Sequence, residues 1–399
     1  MILPVAANEP LASRPLRVRT ITTGLELSPQ GESQRLASAL QFLADAKRRF
    51  VDAGYEVQTL RMASNPWLAT AAPRDRQQLL GRLRELDEIV GRHGVILSVG
   101  PVLTEDRADE SLVQWCNELI GTTRSIHFSV VIASPERGLH AAAALTAAQI
   151  MKTLSRTLDD GVGNFTFAAA ANIPAGTPFF PVGWHRGAES VAFGVESPSV
   201  VERAFAAMTP GEDATARLKQ ALDEALIPIE RIGKEIAREH ERAYVGIDTS
   251  PAPGKDRSIA AAIEALTHEP FGSAGTLQAC AAITAALKTV AVTRCGYSGL
   301  MLPVLEDPLL AQRAGEGRYS VRDLLLYSSV CGTGLDVVPI PGDTPAHSIA
   351  GILRDVAAMA ARLQKPLSAR LFLVPGKKVG DVARFNDRYL TDSVVMKLD

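Results

Sequence analysis

Short runs dense in β-branched and apolar residues alternate along this chain with longer stretches whose apolar positions recur at helical spacing. That is the pattern of strands joined by covering helices. The strand-like runs are RVRTITTGLEL from Arg17, YEVQTLRM from Tyr55, GVILSVG from Gly94 and SIHFSVVIAS from Ser125. NFTFAAAANIP from Asn164, SVAFGVE from Ser190 and AYVGIDTS from Ala243 follow. LMLPVLED from Leu300, GLDVVPIPGD from Gly334 and LSARLFLVPG from Leu367 bring the expected strands to ten. Helices are expected over 32–53, 76–93, 138–158, 214–242, 256–286, 321–329 and 344–364, with Ser28-Pro29 and Thr344-Pro345 as start signals for the first and last.

Ten units are too many for an eight-stranded barrel and fit a doubly wound sheet poorly. No Pro/Gly/Ser-rich linker divides the chain, so the expected organisation is a flexible tail over 1–16 and a single α/β domain over 17–399. The irregular stretches 172–186 and 249–255 read as long functional loops. A division into two five-strand halves near Val195 suits the count, although no internal repeat marks it.

Composition narrows the function. With 46% hydrophobic residues in 399, a large core is available. The balance of 42 basic against 44 acidic side chains gives a formal charge of -2, which argues against nucleic acid or an anionic membrane as partner. Aromatics are only 5% and do not interleave with a basic run. Cys116, Cys280, Cys295 and Cys331 stand singly without a CxxC pair, which implies a reducing, cytoplasmic setting rather than a disulfide framework or zinc site. The first residues lack a secretory pattern, and the uncharged run 161–184 is broken by prolines and asparagines, so no membrane span is expected.

Candidate chemistry concentrates in YSSVCGTGLDVVPIPGDT, 327–344. Gly332 and Gly334 free the backbone beside Cys331 for a turn or an anion-binding nest, in which the thiol would be displayed; a buried thiol in a tight turn is the structural alternative. Asp343 or Thr344 can cap the helix that follows, or turn its N-terminus to a carboxylate or phosphate. Lys377 and Lys378 follow the last strand as two ammonium groups suited to an anion. His185 titrates near neutrality and is a candidate acid or base, with Glu189 to fix its tautomer. Thr22 and Thr23 offer hydroxyls, and the strand-end carboxylates Glu196, Asp248, Glu306 and Asp307 would serve as base or metal ligands if they converge. No P-loop, GxSxG, HExxH or Rossmann fingerprint is present.

The segments RTITTGLELSP, GWHRGAE, GIDTSPAP, GTLQACAAI, GYSGLMLPVLED, VCGTGLDVVPIPGDTP and LVPGKKVGD, spread from Arg19 to Asp381, resemble the domain-of-unknown-function 711 family. That family is often labelled "PFL family protein" for a fold similar to pyruvate formate-lyase. The resemblance implies a ten-stranded α/β barrel of two five-stranded halves with helices outside. It does not extend to glycyl-radical chemistry. The VTRCGYSG segment lacks one residue between its arginine and its glycine, lies well before the C-terminus and precedes Cys331 instead of following it.

Since the family supplies no reaction, function rests on the site. The leading expectation is an enzyme acting on a small anionic metabolite, a carboxylate or phosphate, in the barrel interior. Lys377, Lys378 and the helix after Thr344 would bind it, Asp343 would orient it, and Cys331 would act as nucleophile or acid/base with His185. A non-catalytic ligand sensor is one alternative. A metal-dependent hydrolase or lyase using Asp248, Glu306, Asp307 and His185 is another. No cofactor is assigned, no nucleic acid or membrane partner is expected, and self-association as a homo-oligomer stays open.

Overall fold

A computed structural model describes residues 16–28 and 33–398. Residues 1–15 of the expected tail, and the helix start at Pro29 and Glu32, lie outside the described residues. The strands in chain order are β1 (Arg17–Leu25), β2 (Val57–Ser64), β3 (Val95–Leu103), β4 (Ile126–Ser134), the two-residue β5 (Gly138–Leu139) and β6 (Phe167–Ala171). They continue with β7 (Ser190–Glu196), β8 (Ala243–Asp248), β9 (Gly334–Pro341) and β10 (Leu367–Val374). These form one ten-stranded sheet in the order β8-β7-β1-β2-β3-β4-β6-β10-β9, with β5 attached to β4.

Pairing within the sheet is mostly parallel. β1, β2, β3, β4 and β6 run side by side in one direction. The pairs β7/β8 and β9/β10 are also parallel, but β7 joins β1 and β10 joins β6 antiparallel. The chain therefore changes strand direction between Ala171 and Ser190, a little before the division considered near Val195.

One expected strand is corrected. The run from Leu300 makes a single parallel bridge, Pro303 to Asp336 of β9, and is not a strand; the tenth member of the sheet is β5. The pairing stops at that one bridge despite the run's apolar composition. Just upstream, Arg294 bridges Ile247 of β8 in the same way. The stretch between Arg294 and Pro303 thus touches both outer strands of the sheet.

The helices are α1 (Ser33–Asp52), α2 (Arg76–Arg92), α3 (Glu110–Thr122), α4 (Ala141–Leu154), α5 (Pro198–Ala206) and α6 (Ala214–Glu239). After them come α7 (Ile259–Thr267), α8 (Thr276–Leu287), α9 (Pro308–Gly315), α10 (Val321–Tyr327) and α11 (Ala346–Leu363). The expected helix over 256–286 is two, because His268 takes a left-handed φ of 56° and Pro270 follows it. Three helices went unanticipated, and two of them begin on a legible cap: Asp109 accepts from the Leu112 N–H, and Asp307 from those of Leu309 and Leu310. At α11, neither Asp343 nor Thr344 caps; Pro345 holds that position and the Thr344 hydroxyl donates to the Pro341 carbonyl.

Helices cover one face of the sheet. In α1, Leu36, Ala39, Phe42, Leu43, Ala46 and Phe50 recur at helical spacing and are buried in the principal core. Each such leucine or phenylalanine contributes roughly 1.5–3 kcal/mol on full burial. The other face is covered differently. Phe179 and Val182 of the loop after β6 pack there with Ala168, Ala170, Tyr297 and Met301. Ala383, Phe385, Leu390 and Val395 of the C-terminal segment pack on Val337 and Phe372. No described helix is long and apolar enough to cross a membrane.

Candidate active site

The face turned away from the helices carries ionisable side chains in the middle of apolar strands. Arg19 of β1, Arg61 of β2, His127 of β4, Asp336 of β9 and Arg370 of β10 are all part of the wall of one small cavity, about 60 Å³, together with Glu306, Tyr297, Tyr389 and the ring of Phe180. That is room for a few waters or a small organic group. Strands from opposite parts of the hydrogen-bonded order meet here, so the sheet curls around the cavity. A vestibule of about 200 Å³ shares Arg19, Glu306 and Tyr389 with it and opens toward Lys255 and Arg388.

Charge is unevenly satisfied within this wall. Glu306 bridges two guanidinia, accepting from Arg19 at 2.7 Å and from Arg370 at 2.9 Å. Arg19 also pairs with the fully buried Glu196 at 3.2 Å, and Arg370 with Asp336. Although Glu306 lies near enough to favour its charge, Arg61 forms no ion pair among the described residues. It is 9% exposed, its Nε has no partner, its one hydrogen bond is a long 3.4 Å donation to the Pro178 carbonyl, and its guanidinium stacks 5.0 Å from the Phe180 ring centroid. Burial, reinforced by Arg19 and Arg370, lowers its pKa to about 9, so it stays charged at neutral pH.

His127 faces the same ring, 6.0 Å between centroids, and its Nδ1 is buried without a partner. Burial first, then Arg61 and Arg370, hold its pKa down at about 3, which keeps the imidazole neutral. Tyr297 donates from its hydroxyl to Ser368 Oγ at 2.7 Å, and the Tyr389 hydroxyl is buried without a partner.

Asp248 acts behind the wall. Its carboxylate accepts from the Ser250 N–H and hydroxyl and from the backbone N–H groups of Tyr297 (2.8 Å) and Ser298 (2.9 Å), fixing the turn that presents Tyr297. Gly296 has φ 60°, and a side chain there would strike Asp248. Burial raises the Asp248 carboxyl to about 6 against these bonds. Asp248→Asn puts an NH₂ group against one of the N–H donors. An expected loss of about 1–3 kcal/mol is checked by urea unfolding.

The sequence-derived candidates are scattered with respect to the cavity. Glu306 lines it, and Thr333 of the Cys331-Gly332-Thr333-Gly334 loop touches it. Cys331 itself is 1% exposed and packed in the principal core, with its thiol pKa raised by burial. The loop's glycines are explained by packing: a Cβ on Gly332 would lie 2.3 Å from the Gly299 Cα, and one on Gly334, at φ 90°, 2.1 Å from the Ser368 carbonyl. His185 is bonded through Nε2 to the Gly187 carbonyl and through Nδ1 to Ser190 Oγ, and Glu189 pairs with Arg242 at 2.9 Å. Thr22 donates to the Pro178 carbonyl and Thr23 to the Ser190 carbonyl. These residues fasten the loop that carries Phe179 and Phe180. Asp343 and Lys378 are exposed, Lys377 half-buried, and Thr344 is turned to the Pro341 carbonyl; none of the four lines the cavity.

Asp307 is occupied by the N-termini of α7 and α9. Among the described residues no three His, Cys, Asp or Glu side chains are grouped to hold a metal ion. The residues that sequence reasoning missed, Arg19, Arg61, His127, Asp336 and Arg370, share one signal. Each is an ionisable residue largely or wholly buried within a strand of the sheet, where burial is costly without a purpose.

The family model described as "Uncharacterised ACR (DUF711)" matches residues 10–386. The chain belongs to the DUF711 family. A UPF0210 protein of Pyrobaculum arsenaticum is 32% identical over 346 residues, covering 82% of this chain and 76% of the relative. One from Pyrobaculum islandicum is 30% identical, covering 94% and 88%, and one from Oleidesulfovibrio alaskensis is 28% identical, covering 98% and 92%. DUF711 and UPF0210 are both names without an assigned reaction, so the side chains of this DUF711 member carry the functional argument.

Proposed function

We propose that the protein is a cytoplasmic enzyme that binds a small organic anion in the cavity between Arg61 and His127 and acts on it by proton transfer. The observation that carries this reading is Arg61, a buried guanidinium that faces an open space and forms no direct ion pair among the described residues. A charge in that position costs several kcal/mol unless an anion completes it. In this reading Arg61 holds the anion, neutral His127 accepts or returns a proton, and the Tyr389 hydroxyl, buried without a partner, donates to developing charge. Glu306 keeps Arg19 and Arg370 in place, while Cys331 and His185 support the loops around the site.

The framework of the proposal is a single domain over 17–399, forming a ten-stranded barrel of two halves in which the stretch 294–303 completes the ring. Its support is the pair of bridges that stretch makes to β8 and β9. Four free cysteines support the cytoplasmic assignment. The test is a thermal-shift screen of organic anions at fixed ionic strength on native protein and on Arg61→Met. An anion that raises the melting temperature of the native chain only, and is chemically changed on incubation, is the expected result. A ligand that stabilises the native chain but is recovered intact argues for a sensor instead.

A further inference from the structure

We infer that the ligand is a monocarboxylate, seated with its carboxylate on Arg61 and its adjoining carbon beside His127; this rests on the cavity reading above and names its substrate class. The first support is charge. Three guanidinia line the cavity, Arg19, Arg61 and Arg370, against two carboxylates, Glu306 and Asp336. Arg19 and Arg370 are each engaged by two carboxylates, Glu196 with Glu306 and Asp336 with Glu306. Glu196 lies outside the wall and is shared with Arg17, so the wall residues themselves leave one positive charge over, and among the described residues Arg61 is the guanidinium of this wall without an ion pair. A monoanion neutralises it, whereas a phosphate dianion would bring a second, uncompensated charge into a buried space.

The second support is the donor set. A planar guanidinium offers parallel N–H groups to a carboxylate, and Arg61 has its Nε free to do so. Phosphate sites in α/β proteins are usually cradled by backbone N–H groups of glycine-rich turns or by helix N-termini. The glycine-rich turn nearest this cavity is committed elsewhere, since Gly332 abuts Gly299 and Gly334 abuts Ser368. The third support is size. The inner space of about 60 Å³ accepts a carboxylate and a short carbon chain, with the vestibule beyond for anything longer.

Binding and protonation are coupled in this arrangement. The charged groups facing His127 are Arg61 from β2 and Arg370 from β10, both cationic, and both disfavour the imidazolium. A carboxylate on Arg61 cancels the larger of the two repulsions, so the His127 pKa rises in the complex. Protons are then taken up on binding at pH values between the free and the complex pKa, and affinity increases as pH falls through the complex pKa for as long as the ligand carboxylate stays ionised.

The experiment titrates the native full chain with linear monocarboxylates of two to six carbons, and separately with inorganic phosphate and sulfate, by calorimetry at constant ionic strength. The measurement is repeated in buffers of different ionisation enthalpy and with Arg61→Met and His127→Gln. Expected are a monocarboxylate that binds at least about tenfold tighter than phosphate, loss of that binding in Arg61→Met, and proton uptake that disappears in His127→Gln while binding persists. Tighter phosphate binding that depends on Arg61 overturns the monocarboxylate and leaves the cavity reading standing. If no anion shows Arg61-dependent binding, with Arg61→Met folded by circular dichroism, both fall.

Discussion

Arg61→Met is expected to make the ligand-free protein more stable, by about 1–3 kcal/mol, while abolishing anion binding. A methionine fills much of the same volume, keeps a contact with the Phe180 ring and removes a buried charge that no described carboxylate pairs with directly. The gain opposes the loss of cation–π attraction, worth about 0.5–2 kcal/mol, which is why the expected net effect is moderate. Urea unfolding of both proteins without ligand measures it. A guanidinium kept for structure would give the opposite sign, so a drop in stability overturns the functional role argued for Arg61. Stability held below its optimum at one residue is the usual mark of a binding group.

Glu306→Gln is expected to do the reverse in the same cavity, costing about 3 kcal/mol or more. The amide matches the carboxylate in shape but leaves Arg19 and Arg370 sharing a neutral group, and its NH₂ opposes one of the two guanidinia that Glu306 now accepts from. Arg19 retains Glu196 and Arg370 retains Asp336, which limits the damage to partial loss at each. The denaturation midpoint should fall with an unchanged slope. A midpoint within about 0.5 kcal/mol of native would mean that water already screens these pairs.

The opposite signs follow from reading the cavity as charges rather than as motifs, and that difference explains what was legible beforehand. The alternation of β-branched and helical stretches located nine of the long strands correctly, because each is buried and apolar enough to be read as a run. LMLPVLED had the same composition but makes a single bridge, and Gly138–Leu139 was too short to register. The break between α7 and α8 was written in His268 and Pro270 and was obscured by the alanines on either side.

For the site, the glycine-rich turns drew attention because loops usually carry chemistry. Here Gly332 and Gly334 serve backbone packing, and the His185 and Glu189 group ties down a loop. The residues that meet at the cavity are far apart in sequence, and the ionisable ones on strands come from five different strands. Arg61, His127 and Arg370 form no motif, and only the curl of the sheet brings them together. A charge inside a strand was the available clue, and of the residues nominated on such grounds only Glu306 reaches the cavity wall.

Because strand direction reverses at the β1/β7 and β6/β10 joins, the carboxyl ends of the first five long strands and of the last four point to opposite ends of the sheet. An all-parallel barrel gathers its variable loops on one rim and changes reaction by exchanging them. Here the corresponding loops are divided between the two ends of the sheet, while Arg61, His127 and Arg370 stand on the strands between them. Lengthening a loop at either end should therefore alter access to the cavity without displacing the strand residues that line it.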